Sequence, residues 1–569
     1  MVTVHRLVAI IATTFAFCNA LGSADALKIQ RGFTMLDMHQ VLDDKDCWIP
    51  EIPALPEVSS NIYKNIVATL STVQYQQKCI SRFQRAIGVD TETNDDFGTV
   101  QDDIRWSKFY NFSAFLKKDF PLVHQHLQLE RVNCHGLLYT WKPASERDQD
   151  THFSKPFVLM AHQDTVPVSN KSLAEWKYDP FEGHVDKSGI IYGRGAHDDK
   201  NSLISIMEAV EHLLKNHFQP KRTVVLAFGF DEEVSGKRGA FEISQVLEQR
   251  YGKQGIEFIL DEGPGIIDPV APGGKVAYAT VATSEKGYLD VLIEAKGLGG
   301  HSSLAGKHTL IGIMAEMIVA LETKDPLAPR VSRDSPVIEF LSCQNFSTRD
   351  VPLLLRRIRK GDIDAEYDLG LLLQNTSLAV MSRTSQAIDL ISGGQKINAL
   401  PERVSVGINY RIAPGLTLKD IKARITSILE PIAMKYNMTS FFFGSQESVS
   451  CSDSELCISQ VGKALEPAKM SPQNTKAYSV VFGSVSSALN PIFTETLNVE
   501  SLVVVPTLMA GNTDTRHFWN LTQNLFRFRP TRIDIRNNGG HTVNEHIHVD
   551  DHFASIQFYS SLILRASAM

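Results

Sequence analysis

Carboxylate and imidazole side chains recur in short segments that follow apolar runs or lie beside glycines. These side chains suit zinc, and two histidines with several carboxylates suit two metal ions about 3.5–4 Å apart. A free carboxylate beside such ions can act as a general base. The pattern therefore predicts a two-metal hydrolytic centre. The segments are His162-Gln163-Asp164, His197-Asp198-Asp199, Asp231-Glu232-Glu233, Asp261-Glu262-Gly263 and Gly540-His541-Thr542.

Each segment also has an ordinary structural explanation. Residues two apart in a strand point to the same face, so Asp164 could simply hold the His162 ring. Asp198 could cap the helix that follows it. The acidic pair Glu232 and Glu233 could form a solvated turn. Metal binding is favoured by the order of the segments and by their position after successive predicted strands.

The elements that must position these segments alternate in type. Apolar runs at 157–161, 223–228 and 258–260 predict buried strands, and the apolar spacing of 203–214 and 241–250 predicts helices. Strands that alternate with helices indicate an α/β fold with an open, mainly parallel sheet. Ligands gather at the carboxyl ends of the strands in such sheets, which is where the metal-type segments lie.

A second unit begins near residue 285. Its predicted order β-α-β-β-α-β matches an inserted ferredoxin-like lid domain, interrupted by a helical insertion at about 326–380. Its predicted strands lie at 287–295, 387–391, 404–412 and 440–443, and its predicted helices at 309–321 and 418–436. The chain then divides into a signal peptide (1–20), a polar, irregular N-terminal arm (21–105), the first part of a catalytic zinc domain (106–284), the inserted lid and dimerisation domain (285–445) and the second part of the catalytic domain (446–569).

The N-terminus predicts export. His5 and Arg6 precede the apolar run from Leu7 to Phe17, a layout typical of a secretory signal peptide. The alternative is an uncleaved anchor, although the run is shorter than the roughly 18–20 residues that a membrane span needs. We expect no stable membrane span after cleavage, and a location in the vacuolar lumen or outside the cell. The N-x-S/T sequons lie at Asn111, Asn170, Asn345, Asn375, Asn437 and Asn520.

Composition excludes few other functions. The net charge is −7, and the sequence has no basic stripe or zinc-finger spacing, so we expect no nucleic-acid partner. Six of the seven cysteines lie beyond the signal peptide. An even number permits disulfides in an oxidising compartment, but the sequence does not fix their pairing, and buried free thiols remain an alternative.

Further motifs carry a resemblance over roughly residues 100–560. They are Asp179-Pro180-Phe181, Arg250-Tyr251-Gly252, Glu285-Lys286-Gly287-Tyr288, Gly299-Gly300-His301-Ser302-Ser303 and Gly511-Asn512-Thr513-Asp514-Thr515-Arg516. Together with the metal-type segments they resemble the zinc-dependent exopeptidase and aminoacylase family. Within it, the chain is most similar to fungal carboxypeptidase S and then to the secreted N-acyl amino acid synthase/hydrolase.

The resemblance implies two zinc ions per chain and assigns roles to the metal-type residues. Asp198 would bridge the ions, Glu232 would be the general base, and Asp164 would orient His162. Some relatives use the second acidic residue of the Asp-Glu-Gly segment, here Glu262, whereas the resemblance to the carboxypeptidase S branch implies the first residue, Asp261. The implied ligands are His162, Asp198, Glu233, Asp261 and His541.

The resemblance also implies residues that bind substrate. His301 would donate a hydrogen bond to the oxyanion, in some relatives from the partner subunit of a homodimer formed through the lid. Relatives often carry aspartate at the position of Asn409, close to the substrate residue Arg411. The loop that begins at Gly511 would bind a free carboxylate. The implied substrate residues are His301, Asn398, Arg411, Gly511, Asn512 and Arg516.

Three functions follow from these residues. The first is a zinc carboxypeptidase that hydrolyses the amide bond next to the C-terminal amino acid of a short peptide. The second is an N-fatty-acyl amino acid hydrolase or synthase that uses the same site. The third is a binding scaffold without catalysis, which the complete set of ligands and the base disfavour. The first is the function that we expect.

Overall fold

The computed structural model describes residues 47–143, 155–269, 274–324, 327, 329–344, 350–376, 378–444, 451–452, 454–533 and 540–569. The expected signal peptide, the beginning of the arm and the sequon at Asn345 lie outside these residues. The described chain begins with helices α1 (Glu57–Leu70), α2 (Val73–Ile87), α3 (Phe109–Asp119) and α4 (Pro121–His126).

The arm is helical over α1 and α2, and the prediction of an irregular arm is wrong there. In α2 the buried residues Tyr75, Cys79 and Phe83 follow one another at four-residue intervals, so they lie on one face of the helix. Polar residues between them hid this spacing in the sequence. The buried faces of both helices join the main hydrophobic core of the catalytic domain.

The first part of the catalytic domain supplies most strands of a large sheet. β3 and β6 pair in parallel and are buried along their whole length, as their apolar runs predicted. The elements are β1 (Gln128–Val132), β2 (Gly136–Trp141), β3 (Phe157–His162), β4 (His184–Val185), β5 (Ile190–Tyr192), α5 (Lys200–Lys215), β6 (Val224–Gly229), α6 (Ala240–Tyr251), β7 (Ile259–Asp261), β8 (Ile266–Ile267) and β9 (Val276–Glu285).

The lid follows with its own sheet and helices. The predicted β-α-β-β-α-β order is present as β10, α7, β12, β14, α12 and β15. The elements are β10 (Gly287–Lys296), β11 (Gly300–His301), α7 (Leu310–Thr323), α8 (Val337–Ser342), α9 (Asp350–Arg359), α10 (Ile363–Leu373), α11 (Ala379–Ser382), β12 (Ser385–Gly393), β13 (Ala399–Leu400), β14 (Arg403–Ile412), α12 (Leu418–Lys435), β15 (Thr439–Phe442) and β16 (Glu455–Leu465).

The lid sheet extends past residue 445, where the sequence placed its end. Its order is β12-β14-β10-β16-β15, so β16 lies between the first and fourth strands of the ferredoxin-like unit. β16 is antiparallel to β10 and parallel to β15. Only its first residues are buried, and the rest of the strand is partly or fully exposed, so it lacks the alternation that marks a strand in sequence.

Two disulfides are present among the described residues. Cys47 pairs with Cys343 and thereby joins the start of the described arm to the helical insertion of the lid. Cys451 pairs with Cys457 at the start of β16. Cys79 and Cys134 are free thiols. The cysteines thus include both states that the sequence left open.

The chain then returns to the catalytic domain. The last elements are α13 (Lys476–Thr496), β17 (Ser501–Met509), β18 (Leu525–Arg527), β19 (Arg532–Ile533), β20 (His546–His548) and α14 (Val549–Ala568). The large sheet has the order β1-β2-β6-β3-β7-β18-β9-β8-β19, with β17 also paired to β9. Its centre, from β6 to β18, is parallel, and antiparallel pairs flank this centre. The sheet is therefore mixed.

The core of the catalytic domain lies on both faces of this sheet. On one face, α5 and α14 pack on each other and are buried over almost their entire surface. On the other face, α6 covers β2 and β6. Among the described residues, no helix has the length and apolar character needed to cross a membrane.

Candidate metal centre and substrate cleft

The carboxyl ends of the central parallel strands bring the metal-type residues together. His162 is the last residue of β3, and Asp261 is the last residue of β7. Glu232 and Glu233 lie in a single 3-10 turn directly after β6, and Asp198 lies in the loop before α5. Because parallel strands end at one edge of the sheet, residues separated by many positions in sequence meet there.

His162 lies at one end of this cluster. Its Nε2 atom is 3.1 Å from Asp198 Oδ1 and 3.6 Å from Glu262 Oε1. Its Nδ1 atom is 3.0 Å from the carbonyl oxygen of Asp164 and 3.3 Å from its carboxylate. The ring is buried, so these groups fix its orientation and leave Nε2 facing the carboxylates.

His541 lies at the other end, on the return segment of the chain. Its Nε2 atom is 3.4 Å from Asp198 Oδ2 and 3.1 Å from Glu233 Oε2. The two oxygens of the Asp198 carboxylate therefore face different histidines. This is the arrangement that a carboxylate between two metal ions requires.

Asp164 organises the turn that carries the acidic pair. Its carboxylate accepts hydrogen bonds from the backbone N–H groups of Glu232 and Glu233, both at 3.1 Å, and from the Thr93 hydroxyl at 3.0 Å. Asp164 is fully buried. It thus positions the acidic pair as well as His162, which is more than the sequence reasoning assigned to it.

The cluster holds more negative charge than its protein surroundings can balance. Burial raises the pKa of Glu233 and of Asp261 to about 7, and it raises the pKa of Glu262 well above its ordinary value. Hydrogen bonds that His541 donates to the Asp198 and Glu233 carboxylates raise the pKa of His541 to about 10. Without cations, the cluster therefore holds protons that exposed carboxyls release well below neutral pH.

The donor atoms fit metal ions. In the described part of the chain, neither Glu233 Oε1 nor Asp261 Oδ2 has a hydrogen-bond partner, although both atoms are buried. Donor atoms of His162, Asp198 and Glu233 lie within 4.8 Å of one another, and so do those of His162, Asp199 and Glu262. Imidazole and carboxylate donors at this spacing suit zinc or a similar divalent ion.

The geometry separates the two acidic residues at the end of β7. Glu262 Oε1 reaches within 3.6 Å of His162 Nε2. Asp261 instead accepts the backbone N–H of Glu262 through Oδ1 at 2.9 Å, and it belongs to neither three-residue group of donors. Glu262 is thus the acid whose carboxylate reaches His162, whereas the resemblance implies Asp261 as the ligand.

One buried cation in the cluster was missed from the sequence. Arg529 Nη1 lies 3.4 Å from Asp198 Oδ1 and 3.5 Å from Glu262 Oε2, and it donates to the His197 carbonyl at 2.7 Å. Nothing in the sequence marked this arginine, because it lies outside every metal-type segment and joins the site only through the position of β18 beside β7.

A cleft of about 760 Å³ opens beside the metal centre, between the catalytic domain and the lid. Glu232, Glu233 and His541 form its catalytic wall, and lid residues of β10, β14 and β16 form the opposite wall. The predicted substrate residues Arg411, Gly511, Asn512 and Arg516 also line it.

These substrate residues form a connected polar group. Arg411 Nη1 donates to Asn512 Oδ1 at 3.0 Å, and Asn512 Nδ2 donates to the carbonyl of Lys286 at 2.7 Å. Arg516 donates through Nε to the Thr513 carbonyl at 2.9 Å and through Nη2 to Glu232 Oε1 at 3.2 Å. The cleft therefore places the Arg516 guanidinium in contact with the predicted base and the Arg411 guanidinium in the same lining.

The other two predicted substrate residues lie elsewhere on the lid. His301 is in the small two-stranded sheet of β11 and β13, and the carbonyl oxygen of Asn398 accepts the backbone N–H of Ser302 at 3.2 Å. Both side chains are exposed. Neither is among the described residues that line the cleft.

The family follows from a comparison with known proteins. The model of peptidase family M20/M25/M40 matches residues 158–565, which is most of the chain. The chain belongs to this M20 peptidase family. Its relatives include an uncharacterised carboxypeptidase of Schizosaccharomyces pombe, which is 35% identical over 528 residues that cover 91% of this chain and 84% of the relative.

Other M20 relatives bear on the substrate. Carboxypeptidase S of Saccharomyces cerevisiae is 34% identical and covers 91% of this chain and 89% of its own length. The N-fatty-acyl-amino acid synthase/hydrolase of Mus musculus is 29% identical, and the match covers 80% of this chain and 82% of that relative. The chain is thus a hydrolase of a metal-dependent family.

Solved structures support the same fold. Human carnosine dipeptidase 1 has a TM-score of 0.60 at 13% identity, with 91% of this chain and 100% of that chain covered. An M20 metallo-carboxypeptidase of Sulfolobus solfataricus has a TM-score of 0.55 at 16% identity, with 86% and 99% covered. The expected α/β catalytic domain with an inserted lid is therefore confirmed.

The roles of the two acids after β7 can be separated by substitution. Glu262→Gln should weaken metal binding by at least about 10–100-fold, the loss typical of a residue that supports a metal ligand. Asp261→Asn should weaken it less, because its carboxylate mainly holds the backbone of Glu262. Metal binding by both variants is measured as their zinc content after dialysis against buffered zinc. A larger loss of bound zinc in Asp261→Asn than in Glu262→Gln would indicate that Asp261 is the ligand.

Proposed function

We propose that this M20 enzyme is a zinc carboxypeptidase that hydrolyses the amide bond next to the C-terminal amino acid of short peptides. The observation that carries the proposal is one cleft that is lined by the Arg411 and Arg516 guanidinium groups and by Glu232, which Arg516 contacts beside the candidate metal ligands. The similarity to carboxypeptidase S supports the choice of a peptide substrate.

Two zinc ions per chain fit the donors best. One would be held by His162 and Glu262, the other by His541 and Glu233, with one oxygen of Asp198 for each. When bound there, the ions would supply Lewis-acid activation of the attacking water and of the amide carbonyl. The unpartnered Glu233 Oε1 atom and the raised pKa values of Glu233 and Glu262 support this assignment.

Glu232 is the residue that moves the proton. It lies beside the metal ligands and lines the cleft, and burial raises its pKa above that of an ordinary glutamate. A base with a raised pKa can take a proton from water and later give it to the leaving amine. Asp164 holds the Glu232 backbone, so the base is fixed relative to the ligands.

The substrate carboxylate would be bound where the lid meets the catalytic domain. Arg411 stacks over the Tyr288 ring at 4.7 Å and bonds to Asn512, which presents its guanidinium in a fixed orientation. Arg516 currently pairs with Glu232, and a bound carboxylate would compete for this guanidinium. An arginine fork matches a carboxylate in charge and shape, so these residues select substrates with a free C-terminus.

A second candidate function uses the same residues. An N-fatty-acyl amino acid offers the same free carboxylate and the same amide bond, and a relative is named for that activity. The cleft also contains Phe241, Val461 and Leu465, apolar side chains that a fatty-acyl chain could contact. The charged residues Lys237 and Lys463 line the cleft too, which favours a peptide.

The lid supports a homodimer that completes the site. His301 and Asn398 are exposed and lie outside the described lining of the cleft of their own chain. Large apolar side chains are exposed around them and on the edge strand β12, which is typical of a protein interface. They are Leu298, Leu304, Leu390, Ile391 and Ile397. We propose that the lid of a second copy brings His301 to the oxyanion.

We also propose that the protein is exported through the secretory pathway. The N-terminal apolar run supports a cleaved signal peptide, and the described sequon residues Asn111, Asn170, Asn375, Asn437 and Asn520 are exposed, as glycosylation requires. The two disulfides suit an oxidising compartment such as the vacuolar lumen or the extracellular space. N-terminal sequencing of the purified protein tests cleavage; a sequence that begins at Met1 would support the anchor instead.

Substitution of the base separates chemistry from metal binding. Glu232→Gln should retain both metal ions but lose about 10²–10⁴-fold in kcat, the typical contribution of general acid–base catalysis. Metal content and turnover are measured on the same preparation. Near-normal turnover in a variant that retains both metal ions would contradict the role of Glu232.

A matched panel of substrates tests the proposed activity. An N-blocked dipeptide with a free carboxylate should be cleaved, and its C-terminal amide should lose about 10–100-fold in kcat/KM, since a hydrogen bond to a charged group is worth roughly 1.5–3 kcal/mol. An N-oleoyl amino acid in the same assay tests the alternative. Faster hydrolysis of the N-oleoyl amino acid than of the dipeptide would indicate that N-acyl amino acids are the substrates. Equal cleavage of the dipeptide and its C-terminal amide would contradict a binding site for the free carboxylate.

Complementation tests the shared site. Glu232→Gln and His301→Ala variants should each have low activity alone. If His301 acts on the partner subunit, mixed dimers contain one site with both native residues, and activity should return when the variants are co-expressed. A mixture that stays as inactive as its components would show that His301 serves its own chain or has no role.

A further inference from the structure

Glu545 is a buried carboxylate that none of the steps above uses. Only 1% of its surface is exposed. Oε1 accepts the backbone N–H groups of His197 at 2.8 Å and Asp198 at 3.0 Å. Oε2 accepts the backbone N–H of Gly195 at 3.1 Å and the Arg194 guanidinium at 2.7 Å. All four donors belong to the short loop that carries Asp198.

This loop has no regular secondary structure of its own. Residues 193–199 form consecutive turns between β5 and α5, so few backbone hydrogen bonds within the loop fix its shape. A carboxylate that accepts several N–H groups satisfies backbone donors that would otherwise be buried without partners. Charge-assisted bonds are also stronger than neutral ones. Glu545 therefore holds the backbone of residues 195–198 through three N–H groups and the Arg194 side chain through its guanidinium.

The position of Glu545 in the chain links this loop to the other end of the metal centre. It lies four residues after His541 and directly before β20, which pairs with β5. Its own carbonyl accepts the backbone N–H of Gly193 at 2.9 Å. The segment that carries one histidine is thus bonded to the loop that carries the carboxylate facing both histidines.

A second contact holds the same loop from the opposite direction. Arg529 Nη1 donates to the His197 carbonyl at 2.7 Å, while Glu545 accepts the His197 N–H. The peptide groups on either side of His197 are therefore held by one anion and one cation. With its backbone held in this way, Asp198 can direct one oxygen toward His162 and the other toward His541.

We propose that Glu545 is a positioning residue of the metal centre, which fixes Asp198 relative to His541 so that both metal sites form together. This inference rests on the proposed function, because it assumes that Asp198 and His541 bind metal. A role in folding alone would require Glu545 to support a core element. Its side-chain bonds go instead to the Asp198 loop.

The test compares Glu545→Gln with a matched control. Glutamine keeps the size of the side chain but replaces one acceptor oxygen with an NH₂ group, which cannot accept the N–H donors of the loop. The control is Glu366→Gln in the helical insertion, where a buried carboxylate likewise accepts one guanidinium, that of Arg330, and one backbone N–H, that of Arg333.

Zinc dissociation constants are measured for both variants and the unmodified protein by competition with a chromophoric chelator, alongside melting temperatures of the zinc-free proteins. Glu545→Gln should bind zinc about 10–100-fold more weakly, the loss typical of residues that hold metal ligands. Glu366→Gln should keep the native dissociation constants even if its melting temperature falls. Native zinc affinity in folded Glu545→Gln would overturn the proposal.

A measurement on the unmodified protein covers the case in which Glu545→Gln does not fold. Hydrogen exchange of the zinc-free protein should show slow exchange at the amides of His197 and Asp198, because Glu545 holds them before metal binds. Fast exchange at both amides would overturn the proposal. If the unmodified protein binds no zinc at all, the proposed function is contradicted. If Glu545→Gln and Glu366→Gln have equal zinc dissociation constants, only the role of Glu545 is contradicted.

Discussion

Mutual repulsion among buried carboxylates is the constraint on which the catalytic site depends. Glu232, Glu233, Glu262 and Asp198 meet at one edge of the sheet, and Arg529 is the buried guanidinium that lies among them in the described chain. Unpaired buried charge is costly, so such a cluster is retained in a folded protein when protons or metal ions balance it. Protons would leave the carboxylates unable to activate water, whereas divalent ions supply both charge balance and chemistry.

The fold brings the candidate metal ligands together from distant segments of the chain. The central parallel strands deliver His162, the acidic pair and Glu262 from the first part of the catalytic domain, and the return segment delivers His541. The lid interrupts the chain between these parts and adds the cleft wall that carries Arg411. The proposed carboxylate site therefore combines Arg411 of the lid with Asn512 and Arg516 of the catalytic domain.

Sequence predicted those parts of the molecule whose signals are local. Apolar runs located β3 and β6, and the residue types at their ends predicted the metal centre. The sequence did not predict features that depend on contacts between distant residues. β16 joins the lid through its hydrogen bonds to β10, which leave no local pattern. The polar residues of the arm helices concealed their apolar spacing. Arg529 and Glu545 were missed for the same reason, because their roles come from contacts with the Asp198 loop rather than from any motif.

We propose that divalent cations, rather than protons, balance this cluster in the working enzyme. The direct measurement is a zinc titration of the chelator-treated protein in buffers of different ionisation enthalpy, which gives stoichiometry and proton release together. Two ions should bind per chain with release of protons near pH 7, and affinity should fall as pH falls through about 7, where Glu233 and Asp261 of the metal-free site take up protons. Full amidase activity in the chelated protein, or zinc binding without proton release, would contradict the account.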